Sequence, residues 1–203
     1  EGEDSYRGTF TLKKEGAVEK WDAWTGDIEP VGLIRKGNHL FAPLVIERRG
    51  SIVYFVDTDQ KIVLEDQAAV SVKNEKLQLN PKWMIDEKPD RKLESWVNWD
   101  GYESFSGTVI YQNQFFLDKK DSIAKVILDL GEAHEIVNVM VNQNKIGVKM
   151  WAPYRFEINP LYLIDGVNNF TIEVTNSRAN EMDEARLPSG LIGPVSFEIS
   201  YYE

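Results

Sequence analysis

Residues 105–117 read FSGTVIYQNQFFL and residues 123–129 read IAKVILD. β-branched and aromatic residues recur in both with a period of two, which is the signature of strands that bury one face. Downstream the pattern repeats in EIVNVMVN (135–142), KIGVKM (145–150), YRFEI (154–158), NNFTIEVT (168–175) and PVSFEISY (194–201), and upstream in KWMID (82–86). About eight short strands in this span match the strand count of a jelly roll. The linkers agree with that reading. VNQNKIG (141–147) is a hairpin whose Asn-rich turn tolerates left-handed backbone. NPLYLIDGVNN (159–169) predicts one helical turn that starts after an Asn cap, with Pro160 at the first helical position.

Residues 1–79 keep the same rhythm on a smaller scale. Strands are expected at 6–12, 17–21, 28–34, 39–47, 51–57 and 69–79, separated by glycines, with RRG (48–50) as a tight hairpin signal. WDAWTGDIEPV (21–31) predicts a turn in which Gly26 takes a positive φ, and its two Trp residues read first as core or interface packing. These strands have no obvious partner sheet and look like part of a sandwich. Pro81 cannot donate to a ladder and pushes Asn80 away from helix, so the boundary is expected at 79/80. The fold class is therefore all-β: a jelly-roll β-sandwich at 80–203, preceded by a smaller, partial β-sandwich unit at 1–79.

The chain has 203 residues, enough for one large β domain or for a complete domain plus part of another. No apolar run approaches the length of a membrane span. Lys+Arg of 23 against Asp+Glu of 33 gives a net charge of −10, with the signs interspersed. That field repels phosphate backbones and anionic membranes, so neither nucleic acid nor a membrane is the expected partner. The absence of cysteine excludes disulfides, thiolate metal sites and a Cys nucleophile. The opening EGEDSYRGTF, without an initiator Met or a signal peptide, suggests a mature product or a piece cut from something longer.

Chemical motifs are sparse. Phosphate-loop, dinucleotide, zinc-protease and nucleophile-elbow signatures do not occur. His39 and His134 stand alone in the sequence, and DTDQKIVLED (57–66) puts Lys61 and Ile62 where a calcium loop wants an oxygen ligand and a glycine. DGYE (100–103) together with Glu198 could supply hard oxygens for one structural Ca²⁺, although a solvated acidic turn is the plainer reading. Asp183 and Glu184, neighbours in one loop, cannot straddle a sugar as glycosidic acid and base must. Two long loops remain, 86–104 and 176–193, at positions where sandwiches usually place recognition. The second contains LPSGLIGPV (187–195), whose Leu187, Leu191 and Ile192 need cover and are expected to tuck onto the sandwich edge or, as the alternative, against another domain.

Taken as an ordered series, FSGTVIYQNQFFL, LDLG, VNVMVNQNKIG, PYRFEI and GVNNFTIEVTN resemble the galactose-binding-like jelly roll of glycoside hydrolases. LPSGLIGPV, EKWDAWTGDIEPV and APLVIERRGSIVYFV are similar, more specifically, to the C-terminal part of family-106 α-L-rhamnosidases. The resemblance implies a catalytic barrel of the same polypeptide on the N-terminal side, which would hold the acid and base. This chain would then be a non-catalytic accessory region, needing no cofactor, that binds or shapes a rhamnose- or galactose-containing glycan. A periplasmic or secreted location would follow. In the family's topology MWAPY (150–154) lies beside the 180–186 loop, making Trp151, Tyr154, Asn180 and Arg186 the candidate carbohydrate contacts. The alternative is a structural sandwich that buttresses the barrel and binds no sugar.

Overall fold

The computed structural model describes residues 5–23, 26–48, 50–64, 72–79, 81–118 and 122–202. Trp24 and Thr25 of the expected 21–31 turn lie outside them. The chain is all-β and divides into two compact units, Glu1–Ala69 and Val70–Glu203.

Unit one contains β1 (Tyr6–Thr11), β2 (Ala17–Trp21), β3 (Ile28–Val31), β4 (Ile34–Lys36), β5 (His39–Ile46) and β6 (Val53–Asp57). They form two three-stranded antiparallel sheets, β1-β5-β4 and β3-β2-β6. Between the sheets lie Val18, Val31, Leu33, Leu40 and Ala42, with Phe10, Leu12, Tyr54 and Ile62 packed against them. Tyr54 bridges the layers: its hydroxyl donates to the Pro43 carbonyl at 3.0 Å.

Two expectations change here. The single strand expected at 28–34 breaks after Val31, because buried Leu33 carries the chain from one sheet to the other. The Gly50 amide donates to the Glu47 carbonyl at 2.8 Å, as a reversal there requires. The reversal is not a hairpin, however, since β5 and β6 belong to different sheets. Turn residues encode a reversal of direction and leave the choice of sheet to side-chain burial. Gly26 has the expected positive φ, +77°.

Unit two runs β7 (Val72–Gln78), β8 (Trp83–Ile85), β9 (Lys88–Arg91), β10 (Thr108–Leu117), β11 (Ile123–Asp129), β12 (Glu132–His134), β13 (Ile136–Val141), β14 (Asn144–Lys149), β15 (Arg155–Ile158), β16 (Gly166–Thr175), β17 (Gly190–Gly193) and β18 (Ser196–Tyr202). A six-stranded sheet, β14-β13-β16-β10-β8-β9, and a four-stranded sheet, β15-β11-β18-β7, enclose one core, making the expected β-sandwich. Phe197 sits near the centre of that core, 4.1 Å from Phe115 and 5.5 Å from Phe170 between ring centroids.

β7 was expected to close unit one. It pairs instead with β18 along its whole length, from Val72 opposite Tyr202 to Gln78 opposite Ser196. The division between units therefore falls upstream of 79/80. The hairpin at 141–147 has Asn142 and Gln143 at φ +46° and +68°. At the turn after β15, Asn159 accepts from the Leu161 amide at 3.0 Å ahead of Pro160–Tyr162. β9, β12 and β17 were not anticipated.

Candidate functional site

Register locates the rim. Thr175 at the end of β16 lies opposite both Thr108, which opens β10, and Ile136, which opens β13, and Val137 lies opposite Lys149, which closes β14. The segments 150–154 and 176–189 therefore leave the sandwich at one end, where the segment 92–107 re-enters it at Thr108.

Polar side chains tie two of these segments together. The Asn176 amide nitrogen donates to the Phe105 carbonyl and to Ser189 Oγ, while its oxygen accepts from the Gly107 amide at 2.9 Å. The Asn180 nitrogen donates to the Leu187 carbonyl at 3.0 Å and to Ser189 Oγ at 3.1 Å, and its oxygen accepts from the Leu187 amide at 2.7 Å. Ser189 completes the tie, its amide donating to Ser95 Oγ and its carbonyl accepting from the Trp96 amide. Asn176, Asn180 and Ser189 are all buried, so each of these bonds offsets a desolvation that would otherwise cost about 1–3 kcal/mol.

The apolar members of LPSGLIGPV separate at this point. Leu191 lies in β17 against the core and is fully buried, its amide donating to the Tyr111 hydroxyl at 3.1 Å. Burial raises the pKa of that hydroxyl, which stays protonated. Leu187 is exposed and Ile192 half-buried, so the expectation that all three tuck in holds fully for Leu191 alone. Gly190 has φ +95°, and a Cβ there would meet Tyr111 Oη at 2.5 Å and Trp96 Cε3 at 2.8 Å. Only glycine fits both constraints.

The four candidate contacts have different surroundings. Trp151 is 39% exposed. Arg186 is exposed at the tip of the 176–189 loop with φ +47°. Asn180 is buried, and its amide engages the loop that presents Arg186. Tyr154 is buried, with its hydroxyl donating to the Glu135 carbonyl at 2.6 Å; burial, and then the Glu135 charge, pushes its pKa up to about 12. The Glu135 amide in turn donates to the Thr175 carbonyl, so Tyr154 connects the base of the 150–154 loop to the base of the 176–189 loop. Trp151 and Arg186 thus face solvent, while Tyr154 and Asn180 position the loops that hold them.

An aromatic series in 92–107 escaped the sequence reading. Trp96, Phe105, Tyr102 and Trp99 follow one another at centroid distances of 5.7, 4.9 and 5.4 Å, and the Arg91 guanidinium lies 5.5 Å above Trp99. The depression beside them, lined by Asp86, Lys88, Arg91, Trp99 and Tyr102, has about 10 Å³ of room. That is space for about one water rather than a sugar ring. The spacing W-x2-W-x2-Y-x2-F (96, 99, 102, 105) was the available signal.

Glu198 is held by Arg155. Arg155 donates to Glu198 Oε2 and to Asp129 Oδ2, each at 2.6 Å. These bonds hold the Glu198 carboxyl below the usual carboxylate range. A general acid for glycosidic cleavage needs the opposite shift. Among the described residues no three acidic or histidine side chains converge on a common metal position.

Comparison with known proteins gives a consistent direction. A rhamnosidase from Novosphingobium sp. PP1Y superposes on 97% of this chain with a TM-score of 0.74 at 22% identity. The likeness is one of fold. β-Glucuronidases from Ruminococcus gnavus and Bacteroides uniformis superpose on 63% of the chain with TM-scores of 0.51 and 0.50, at 14% and 18% identity. A Formosa agariphila protein assigned by name as a β-glucuronidase is 33% identical over 102 residues, 48% of this chain. No family model matches the sequence. The chain spans 22% of the Novosphingobium rhamnosidase and 9% of the Formosa protein.

Proposed function

We propose that this chain is a non-catalytic, carbohydrate-binding or substrate-shaping C-terminal region of an α-L-rhamnosidase-like glycoside hydrolase. Unit two is the galactose-binding-like jelly roll of that enzyme, and a catalytic barrel of the same polypeptide is its partner. The observation that carries the reading is the rim, where an exposed indole, Trp151, and an exposed guanidinium, Arg186, sit on loops anchored by buried Tyr154 and Asn180. An aromatic face stacks on the C–H face of a pyranose while a guanidinium donates to its hydroxyls. The fixed loops reduce the ordering cost of binding. The wider case rests on likeness in fold to a rhamnosidase and on the Arg155-neutralised Glu198.

The test is titration of the chain with methyl α-L-rhamnopyranoside and methyl β-D-galactopyranoside, followed by calorimetry. Binding that is lost in Trp151→Ala and Arg186→Ala, with melting unchanged, supports the proposal. Binding of neither sugar favours the buttress alternative. Hydrolysis of an aryl rhamnoside that disappears on replacing a carboxylate of this chain overturns the non-catalytic assignment.

A further inference from the structure

The outer face of the β3-β2-β6 sheet in unit one is apolar and open. Directly paired residues share a face, so Ile28, Trp21 and Val53 form one row and Pro30, Glu19 and Phe55 the next. Ile28 is 54%, Trp21 42%, Val53 53% and Phe55 48% exposed. The opposite face carries Val18 and Val31 into the core. Of the two packings its sequence context suggested, core or interface, Trp21 therefore does not take the core one. Its ring lies 5.8 Å from Phe55 with the planes 31° apart, so the two present a nearly continuous aromatic surface.

We propose that this face is a second carbohydrate platform, independent of the unit-two rim, which stacks the flat C–H faces of a neutral polysaccharide on Trp21 and Phe55. The negative faces of the two rings attract the polarised C–H groups of a pyranose. Glu19 discriminates between a glycan and a protein as occupant. Glu19 stands on the central strand between Pro30 and Phe55, and its carboxylate accepts from Trp21 Nε1 at 3.0 Å. An apolar protein surface laid over the face would bury that carboxylate, at a high desolvation cost. A sugar brings hydroxyls that donate to it. The same bond fixes the indole's orientation before any ligand arrives.

The experiment is affinity electrophoresis of the full chain in gels containing hydroxyethylcellulose or galactomannan. Retardation of the wild type in at least one gel is expected. Trp21→Ala and Phe55→Ala should each weaken binding by at least about tenfold, as loss of a stacked anchor does, with the melting midpoint preserved because both side chains are surface residues. Leu161→Ala, which removes an exposed apolar side chain of unit two, is the control for non-specific adhesion and should run as wild type. An unretarded wild type overturns the proposal. So does retardation that survives both platform variants, and retardation abolished only by Trp151→Ala would assign the binding to the rim. Concentration-dependent self-association that disappears in Trp21→Ala would make the face a protein contact and also overturn the platform.

Discussion

Among the described residues, unit one packs its two sheets around Val18, Val31, Leu33, Leu40 and Ala42, whereas unit two encloses a continuous core from Trp83 to Ile199. The small unit leaves Trp21, Ile28, Val53 and Phe55 exposed on one sheet face, around Glu19. The large one also leaves apolar side chains such as Phe116 and Leu161 exposed, but it turns its buried polar groups to fixing loops. Small domains bury a smaller fraction of their surface, so exposed rings in unit one are an expected by-product of its size. Ordered rim loops in unit two are an expected benefit of its core.

The strongest test of this contrast substitutes one core residue in each unit. Phe197→Ala should destabilise unit two by about 3–5 kcal/mol, and Leu33→Ala should destabilise unit one by about 2–5 kcal/mol. The second loss is comparable with the whole stability of a unit of about seventy residues. Calorimetry should then show unit one unfolded and unit two still melting cooperatively. A single transition moved equally by both variants would mean that the units do not fold separately.

Next in size is the pair within LPSGLIGPV. Leu191→Ala should cost about 2–5 kcal/mol, while Leu187→Ala should stay under about 0.5 kcal/mol. Equal effects would show that β17 is not the inward anchor of its loop. Asn180→Ala should cost about 1–3 kcal/mol by leaving the Leu187 amide without its acceptor, and proteolysis between 180 and 189 should accelerate.

The pH predictions are smaller and have opposite signs. Tyr154 has its folded pKa raised to about 12, so the fold favours the protonated phenol. Its contribution is complete below the unfolded value of about 10 and is lost as pH rises toward about 12. Tyr154→Phe should flatten the alkaline limb of a stability–pH curve. Glu198 has its folded pKa lowered, so its contribution is complete above the ordinary glutamate value of about 4.3 and drains away as pH falls through the depressed one. The pair is partly exposed and screened by water and salt. Glu198→Gln should therefore make only a slight change, confined to the acid limb.

The strands were legible because a half-buried strand writes its two faces into alternate residues: β10, β11, β13 and β16 all follow that pattern. Sheet membership was less so. Nothing local in RRG distinguishes a hairpin from a crossing between sheets, and β7 joins unit two through pairing with residues more than a hundred positions away. β17 has only four residues, two of them glycine, too short to show a period. At the rim, Trp151 could be picked out as a loop residue, and it is exposed. Asn180 could not be sorted, because a side-chain amide has the same donors and acceptor whether it meets a sugar or its own backbone.

The register of β7 on β18 also determines how the molecule answers force. Val72, the first residue of β7, lies opposite Tyr202, near the end of β18. Tension entering through the segment before Val72 and leaving through the residues after Tyr202 loads the same end of one ladder. The hydrogen bonds then open one after another, as in a zipper, instead of sharing the load in shear. An edge strand held this way peels at low force and re-forms readily, which makes the β7–β18 seam the first place for the sandwich to yield when its neighbours are pulled.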